Sequence, residues 1–244
     1  MRKQFVAYIM GNEDFIDHLK TLERTGADFV EIGIPFSDPV ADGPVIMAAG
    51  QRAIQQGMTA ERILGTLKAH KDDLQVQYLL MTYMHTIEAY GEADFMRDAE
   101  AAGVYGLIIP DMPAEYIAEM KARYSERQLK LISLIAMTAD TARIETIARQ
   151  AEGFIYTVTM NQITGQNGEF HPELREKLAL IQHNSNVPVF TGFGIRTAEQ
   201  VQQLATIADG IIIGSEIVRR FELDEQADIE RYLSSIRQAL DSVE

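Results

Sequence analysis

The feature that most constrains the fold is a regular alternation along the chain. Short apolar runs recur through all 244 residues, separated by longer amphipathic, charged stretches. The runs are FVAYIM (5–10), FVEIGI (29–34), VQYLLMTY (76–83), YGLIIPD (105–111), LKLISLIA (129–136), GFIYTVT (153–159), VPVFTG (187–192) and GIIIG (210–214). They are rich in Val, Ile, Leu, Phe and Tyr, as expected of strands covered on both faces. Stretches between them, such as FIDHLKTLERTG, ADFMRDAEAAG and TARIETIARQAEG, have helical character and end in glycine, a common helix stop. Eight βα units without a linker or a break in composition imply α/β architecture: a single (β/α)8 TIM barrel domain over 1–244. That fold typically takes about 250 residues. The alternative is a doubly wound sheet, which usually stops at about five to seven strands.

Two of the units carry extra material. After the second run come the loop PFSDPVADGP and two helices, 44–56 and 59–70; after the sixth comes MNQITGQNGEF. In a barrel, chemistry sits at the C-terminal strand ends, so long loops there are expected walls and lids. The segment 224–242 reads as a closing helix. Composition then narrows the function. Lys+Arg 22 against Asp+Glu 36 gives a net charge of -14, without the basic stripe that a nucleic-acid binder needs to displace counterions. Cysteine is absent, which removes disulfides, thiolate nucleophiles and Cys-ligated metals together. The histidines at 18, 70, 85, 171 and 183 show no metal-ligand spacing. His18, His70 and His183 fall on helix surfaces or ends. The start, MRKQFVAYIMGNED, is too short an apolar run for a secretory signal, and no stretch is long enough to span a bilayer. A cytoplasmic chain acting on a small molecule or a protein partner is expected.

Glu31 is the sharpest chemical feature. Alternation in FVEIGI puts Phe29, Glu31 and Gly33 on one face and the aliphatic Val30, Ile32 and Ile34 on the other. The aliphatic face suits packing against helices, so Glu31 points into the barrel near its mouth, with Gly33 leaving space above it. A carboxyl desolvated there has a raised pKa, which suits a general acid near neutral pH. The competing reading is a core ion pair, for which the opposing strands offer only Lys130. Asp38 and Asp42 follow in SDPVADGP. Asp-Pro and Asp-Gly are ordinary turn formers, yet two acids beside a buried Glu also suit an acid–base pair.

The last quarter suggests a phosphate site. Gly192 and Gly194 lie just beyond strand seven, and Gly214 and Ser215 just beyond strand eight, where glycine backbone and a helix N-terminus can hold an anion. His85 follows strand three at the same face. Tyr83 and Tyr156, late in strands three and six, line an aromatic pocket or belong to the core.

EIGIPFSDPVADGP (31–44) resembles the signature of the tryptophan synthase α-subunit family. The likeness continues through LMTY (80–83), GLIIPDMP (106–113), GFIYTVT (153–159), ITG (163–165), TGFGI (191–195) and ADGIIIGS (208–215) in the family's order. The resemblance implies a lyase that splits indole-3-glycerol phosphate into indole and D-glyceraldehyde 3-phosphate by cofactor-free retro-aldol cleavage. Glu31 would be its acid/base and Asp42 would bind the indole N–H. Tyr156 would position the substrate, and Tyr8, Tyr83 and Phe193 would line the indole pocket. Gly165, Gly194, Gly214 and Ser215 would hold the phosphate, with Thr164 closing the site over Asp42. The resemblance also implies a β-subunit partner in an αββα heterotetramer. That partner carries pyridoxal phosphate and receives indole through a tunnel; the loop around Asp38 and Pro39 would be part of the contact.

The sequence departs from the family in places. The usual helix before the first strand looks missing, and in the family it covers the barrel bottom; a chain without it is expected to be less stable or to expose apolar surface. His85-Thr86 replaces the usual Asn-Pro. Ser133 and Met137 stand where prolines are common, and Gln162 and Asn167 alter the loop after strand six. Three other readings stand beside the lyase subunit: a free-standing lyase, a non-catalytic regulatory subunit, and another phosphate-binding barrel. Glu31 and Asp42 together speak against the regulatory subunit, and the SDPVADGP loop against another barrel.

Overall fold

The computed structural model describes residues 2–158, 172–192 and 194–243. The first half runs β1 (Gln4–Met10), α1 (Phe15–Arg24), β2 (Phe29–Gly33), α2 (Pro44–Gln55), α3 (Ala60–His70), β3 (Gln77–Met81), α4 (Met84–Tyr90), α5 (Glu92–Ala101), β4 (Gly106–Ile108) and α6 (Ala114–Arg123). It continues with β5 (Lys130–Leu131), β6 (Ser133–Ala136), α7 (Thr141–Arg149), β7 (Ile155–Val158), α8 (Pro172–Asn184), β8 (Val189–Thr191), α9 (Ala198–Ala205), β9 (Gly210–Ile213), α10 (Ser215–Leu223) and α11 (Gln226–Asp241). The two helices expected after the second strand are both present. Helices α1 and α5 stop at Gly26 and Gly103, whose φ values of +90° and +78° side chains rarely adopt.

All strand pairs are parallel, in the order β5-β4-β3-β2-β1-β9-β8-β7-β6. The two ends of that order, β5 and β6, are separated in the chain by Ile132 alone. The fifth apolar run is thus one strand in two pieces, the first paired with β4 and the second with β7. The doubly wound alternative is removed, because the edges of the sheet are joined through one residue. On the β4 side the ladder ends at the bond from Ile132 N–H to Leu107 C=O, 2.9 Å. Among the described residues no backbone hydrogen bond joins β6 to β4, so the wall keeps a wedge there.

The strands separate two packed regions. Each apolar run contributes a residue to one packed cluster on the barrel axis, from Val6 and Phe29 through Leu79, Ile108, Ile132, Phe154 and Phe190 to Ile212. Three rings, Phe29, Phe154 and Phe190, meet there with centroids 4.4 to 6.0 Å apart and fill the lower barrel. The opposite face, with Val30 and Ile32, packs against the helices through Leu19, Leu22 and their neighbours. The parity expected for β2 therefore holds.

At the N-terminal strand ends, acidic side chains take up backbone donors that the sheet leaves over. Glu23 accepts from Gln75 and Val76 N–H, Glu100 from Gln128 and Leu129, Glu152 from Leu131, and Asp209 from Val189. Asp28 accepts from Phe5 N–H at 2.7 Å and from Arg237 Nη1 at 2.9 Å, while Arg237 Nη2 donates to Lys3 C=O and to Asp241. Among the described residues the expected apolar exposure at this end is not found. The exposed large apolar side chains among the described residues are Val40, Met47, Ile54, Tyr116 and Leu223, none of them at these strand ends. No described helix is long and apolar enough to cross a membrane.

Arg237 is buried, so removing it takes away the buried cation beside Asp28, leaves that carboxylate with the exposed Arg2 at 3.2 Å, and deprives the Lys3 carbonyl of its donor. Arg237→Met is expected to cost about 3 kcal/mol in urea unfolding, and Asp28→Asn in the same chain should recover part of that. Additive losses in the double variant would show that the two side chains are not coupled.

Candidate active site

The site is built at the C-terminal ends of β1, β2, β3 and β7. Glu31 points inward from β2, one step above the phenylalanine layer, in register with Tyr8 of β1 and Leu79 of β3. It is 1% exposed, and its Oε1 has no hydrogen-bond partner. No ion pair reaches it among the described residues, and Lys130 supplies none. Burial without compensation disfavours the charged form and pushes its pKa up to about 8. Burial therefore favours the protonated form of Glu31.

Asp42 reaches the same space from the loop after β2. Its Oδ1 is buried without a partner, and burial raises its pKa against a hydrogen bond with the Tyr83 hydroxyl. The same hydroxyl accepts the Ala41 N–H at 3.2 Å, so Tyr83 holds the loop at two consecutive residues. Tyr8 and Tyr156 complete the cluster. Burial first, and then the charges of Glu31 and Asp42, hold both phenols well above the usual range. Gly33 does not leave empty space above Glu31: a Cβ there would lie 2.0 Å from the Tyr8 hydroxyl, which occupies that room. Two carboxyls and three phenols thus cluster around Tyr8, the chemistry of proton transfer to an aromatic or hydroxylated molecule.

Next to this cluster, Gly214 packs against Tyr8, a Cβ there lying 3.6 Å from that of Tyr8, and precedes α10. Gly214 C=O accepts from Ile217 and Val218, and Ser215 is exposed at the helix start, where leading N–H groups point outward. Gly194 has φ +57° with open space around its Cβ position, whereas Gly192 lies tight against Ile212 C=O.

Other residues singled out in the sequence lie elsewhere. Asp38 is exposed and accepts the Ser37 hydroxyl at 2.6 Å, which is turn chemistry. His85 is exposed on α4, 6.0 Å from the Phe36 ring. His18 is not on an open surface: it stacks on Phe221 at 4.0 Å, and burial lowers its pKa. Thr164, Gly165, Phe193 and His171 lie outside the described residues. Two contributors escaped the sequence reading. Phe36 stacks on Tyr83 at 5.0 Å, its signal being an aromatic directly after the strand. Asp111 accepts the Met84 N–H through both oxygens, at 3.0 and 3.2 Å, joining the loops after β3 and β4.

A parallel barrel with a buried acid on its axis belongs among the (β/α)8 enzymes, whose reacting groups stand at the C-terminal strand ends. The model of the family described as Tryptophan synthase alpha chain matches residues 1–242. The chain is 60% identical over 242 residues to the tryptophan synthase alpha chain of Staphylococcus carnosus (strain TM300), covering 99% of this chain and 97% of that one. It is 52% identical to the protein of that name from Staphylococcus haemolyticus (strain JCSC1435), with both covered in full. Among solved structures, tryptophan synthase subunit alpha from Legionella pneumophila str. Paris superposes with a TM-score of 0.87 at 31% identity, over 99% of this chain and 94% of that one. This chain belongs to the tryptophan synthase alpha chain family, and is a lyase of tryptophan biosynthesis.

The state of Glu31 has a stability signature. Folding raises its pKa from 4.5 to about 8, so the folded chain holds a proton that the unfolded chain releases. The stability this contributes is fully present below about pH 4.5 and is lost progressively up to about pH 8. Glu31→Gln removes that titration. Its unfolding free energy relative to wild type should rise across this window, by on the order of a few kcal/mol at the top. Superimposable pH profiles for the two proteins would mean that the carboxyl is ionised in the fold.

Proposed function

We propose that this chain cleaves indole-3-glycerol phosphate to indole and D-glyceraldehyde 3-phosphate, with Glu31 as acid/base and Asp42 as its electrostatic partner. The observation that carries the reading is a buried carboxyl on the barrel axis, its Oε1 without a partner, beside a cluster of phenols that a second carboxyl also reaches. Protonating an aromatic carbon needs an acid shielded from water. Glu31 gives its proton to the ring carbon that bears the side chain, and positive charge develops toward the ring nitrogen. Asp42 accepts the N–H hydrogen bond and stabilises that charge. Glu31, now a carboxylate, takes the proton of the hydroxyl on the adjacent side-chain carbon. The carbon–carbon bond then breaks: its electron pair returns to the ring, and the side-chain carbon becomes the aldehyde. The acid is regenerated, and no external reagent is consumed.

Tyr8 and Tyr83, with Phe193, line the ring site, and Tyr156 positions the substrate beside Glu31. Backbone N–H groups of Gly194, Gly214 and Ser215, with Gly165, hold the phosphate at the positive end of α10; Thr164 closes the loop over Asp42. The cytoplasmic protein works with a β-subunit in an αββα assembly. Pyridoxal phosphate belongs to that partner, and this chain requires no cofactor. The loop at the exposed Asp38 and half-buried Pro39, next to the largely uncovered Val40, suits the contact.

The test is indole release from indole-3-glycerol phosphate by the purified chain, with and without a β-subunit. Release should rise when the β-subunit is added. Glu31→Gln should lower turnover by about 10²- to 10⁴-fold while binding of 3-(indol-3-yl)propyl phosphate, which cannot be cleaved, is retained. Equal losses in binding and turnover would remove Glu31 from the chemistry. Asp42→Asn should also be severely impaired, and a near-normal rate would return that residue to turn formation.

A further inference from the structure

The cavity that reaches Tyr156 does not end at the barrel wall. It has a volume of about 470 Å³, within the range of sites for small organic ligands. Its lining runs from Met81, Ile108 and Tyr156 inside the barrel to Ile117 and Ala118 of α6 and Ile147 of α7 outside it. The passage is the wedge beyond Ile132, where β6 follows β7 and forms no ladder with β4. Small side chains line the way, with Ser133 in the wedge and Ala118 and Ala139 toward the helices.

The outer opening is framed by two cross-links between helix segments. Arg143 Nη1 donates to Glu115 Oε1 at 2.9 Å, and Lys121 Nζ donates to Gln150 C=O at 2.8 Å. Among the described residues these are the only two charged side chains that line the cavity, and both are engaged. A phosphate or carboxylate would find no free cation among the described residues here, while an uncharged ring would bury its faces against Ile117 and Ile147. The chamber also opens on the pocket where the lyase reaction would release such a ring.

We propose that this lateral chamber is a binding subsite for a neutral aromatic molecule of the indole class, separate from the position the ring takes while joined to its phosphate-bearing side chain. The choice of occupant rests on the function proposed above; the chamber itself does not. The ring can move sideways through the wedge while the charged half stays at the mouth. The subsite adds a second place for the product on the same chain.

The experiment is ¹⁹F NMR titration of the full chain with 5-fluoroindole, alone and with saturating 3-(indol-3-yl)propyl phosphate. Fluoroindole should remain bound when the phosphate compound occupies the mouth. Ala118→Phe should weaken that residual binding tenfold or more, and Ala139→Leu should do so from the other side. Both variants should keep affinity for the phosphate compound within twofold of wild type. Complete displacement of fluoroindole from wild type, or residual binding unchanged in both variants, would overturn the proposal. Should the phosphate compound fail to bind at all, the lyase reading falls; fluoroindole binding sensitive to Ala118→Phe would still support the chamber.

Discussion

A single uncompensated burial organises the upper barrel. Glu31 sits above three phenylalanine rings with no cation and no hydrogen bond to Oε1, and every neighbouring feature adjusts to it. An ionised carboxylate there would lose its hydration and gain nothing in return, so the group keeps its proton. Asp42 is treated differently. It enters from a loop, is less deeply covered, and has the Tyr83 hydroxyl to stabilise its charge. Two similar side chains are thereby set to unequal acidity by surroundings alone, the condition under which one gives a proton while the other bears charge. The glycine at position 33 serves the same end, since it lets the Tyr8 ring lie across the top of β2.

The wall of the barrel is closed by covalent continuity more than by hydrogen bonds. Ile132 ends the ladder to β4, and Ser133 begins the ladder to β7. A closed eight-stranded barrel has no edges to protect, but here one side stays open enough for the interior cavity to extend between α6 and α7. Small residues at that point, Ser133, Ala118 and Ala139, match an interruption in backbone pairing, and each would be an odd choice if the strands met fully.

Much of this was legible in the residues. The inward position of Glu31 followed from alternation in FVEIGI, because a strand covered on both faces leaves its one acid a single buried place to go. The count of apolar runs led to the barrel, although LKLISLIA gave no sign that it would divide at Ile132: a pairing switch depends on partner strands, not on the run itself. Gly33 was placed correctly and explained wrongly, since which side chain fills a gap depends on β1 lying next to β2. The sequence places His18 on a helix surface, and its stacking partner Phe221 belongs to the distant α10, which local pattern does not reveal. Asp111 stood unremarked in GLIIPDMP, where an acid before Met-Pro looks like any turn. Local patterning conveys direction and period; contacts between distant segments escape it.

The acidic collar at the lower end has a consequence for synthesis. Arg237 sits near the end of the chain, and its partners, Asp28 and the Lys3 carbonyl, stand near the beginning, 209 and 234 residues away. β1 likewise needs β9 for one of its two neighbours. A nascent chain emerging from the ribosome therefore holds its first strand half paired, with Asp28 served by the exposed Arg2 alone, until β9 and Arg237 have been made. Helix α11 acts as a latch, and the barrel can become a cooperative unit only after α11 has been made. Folding intermediates on the ribosome would expose the edge of β1, the surface that a chaperone must cover in the interval.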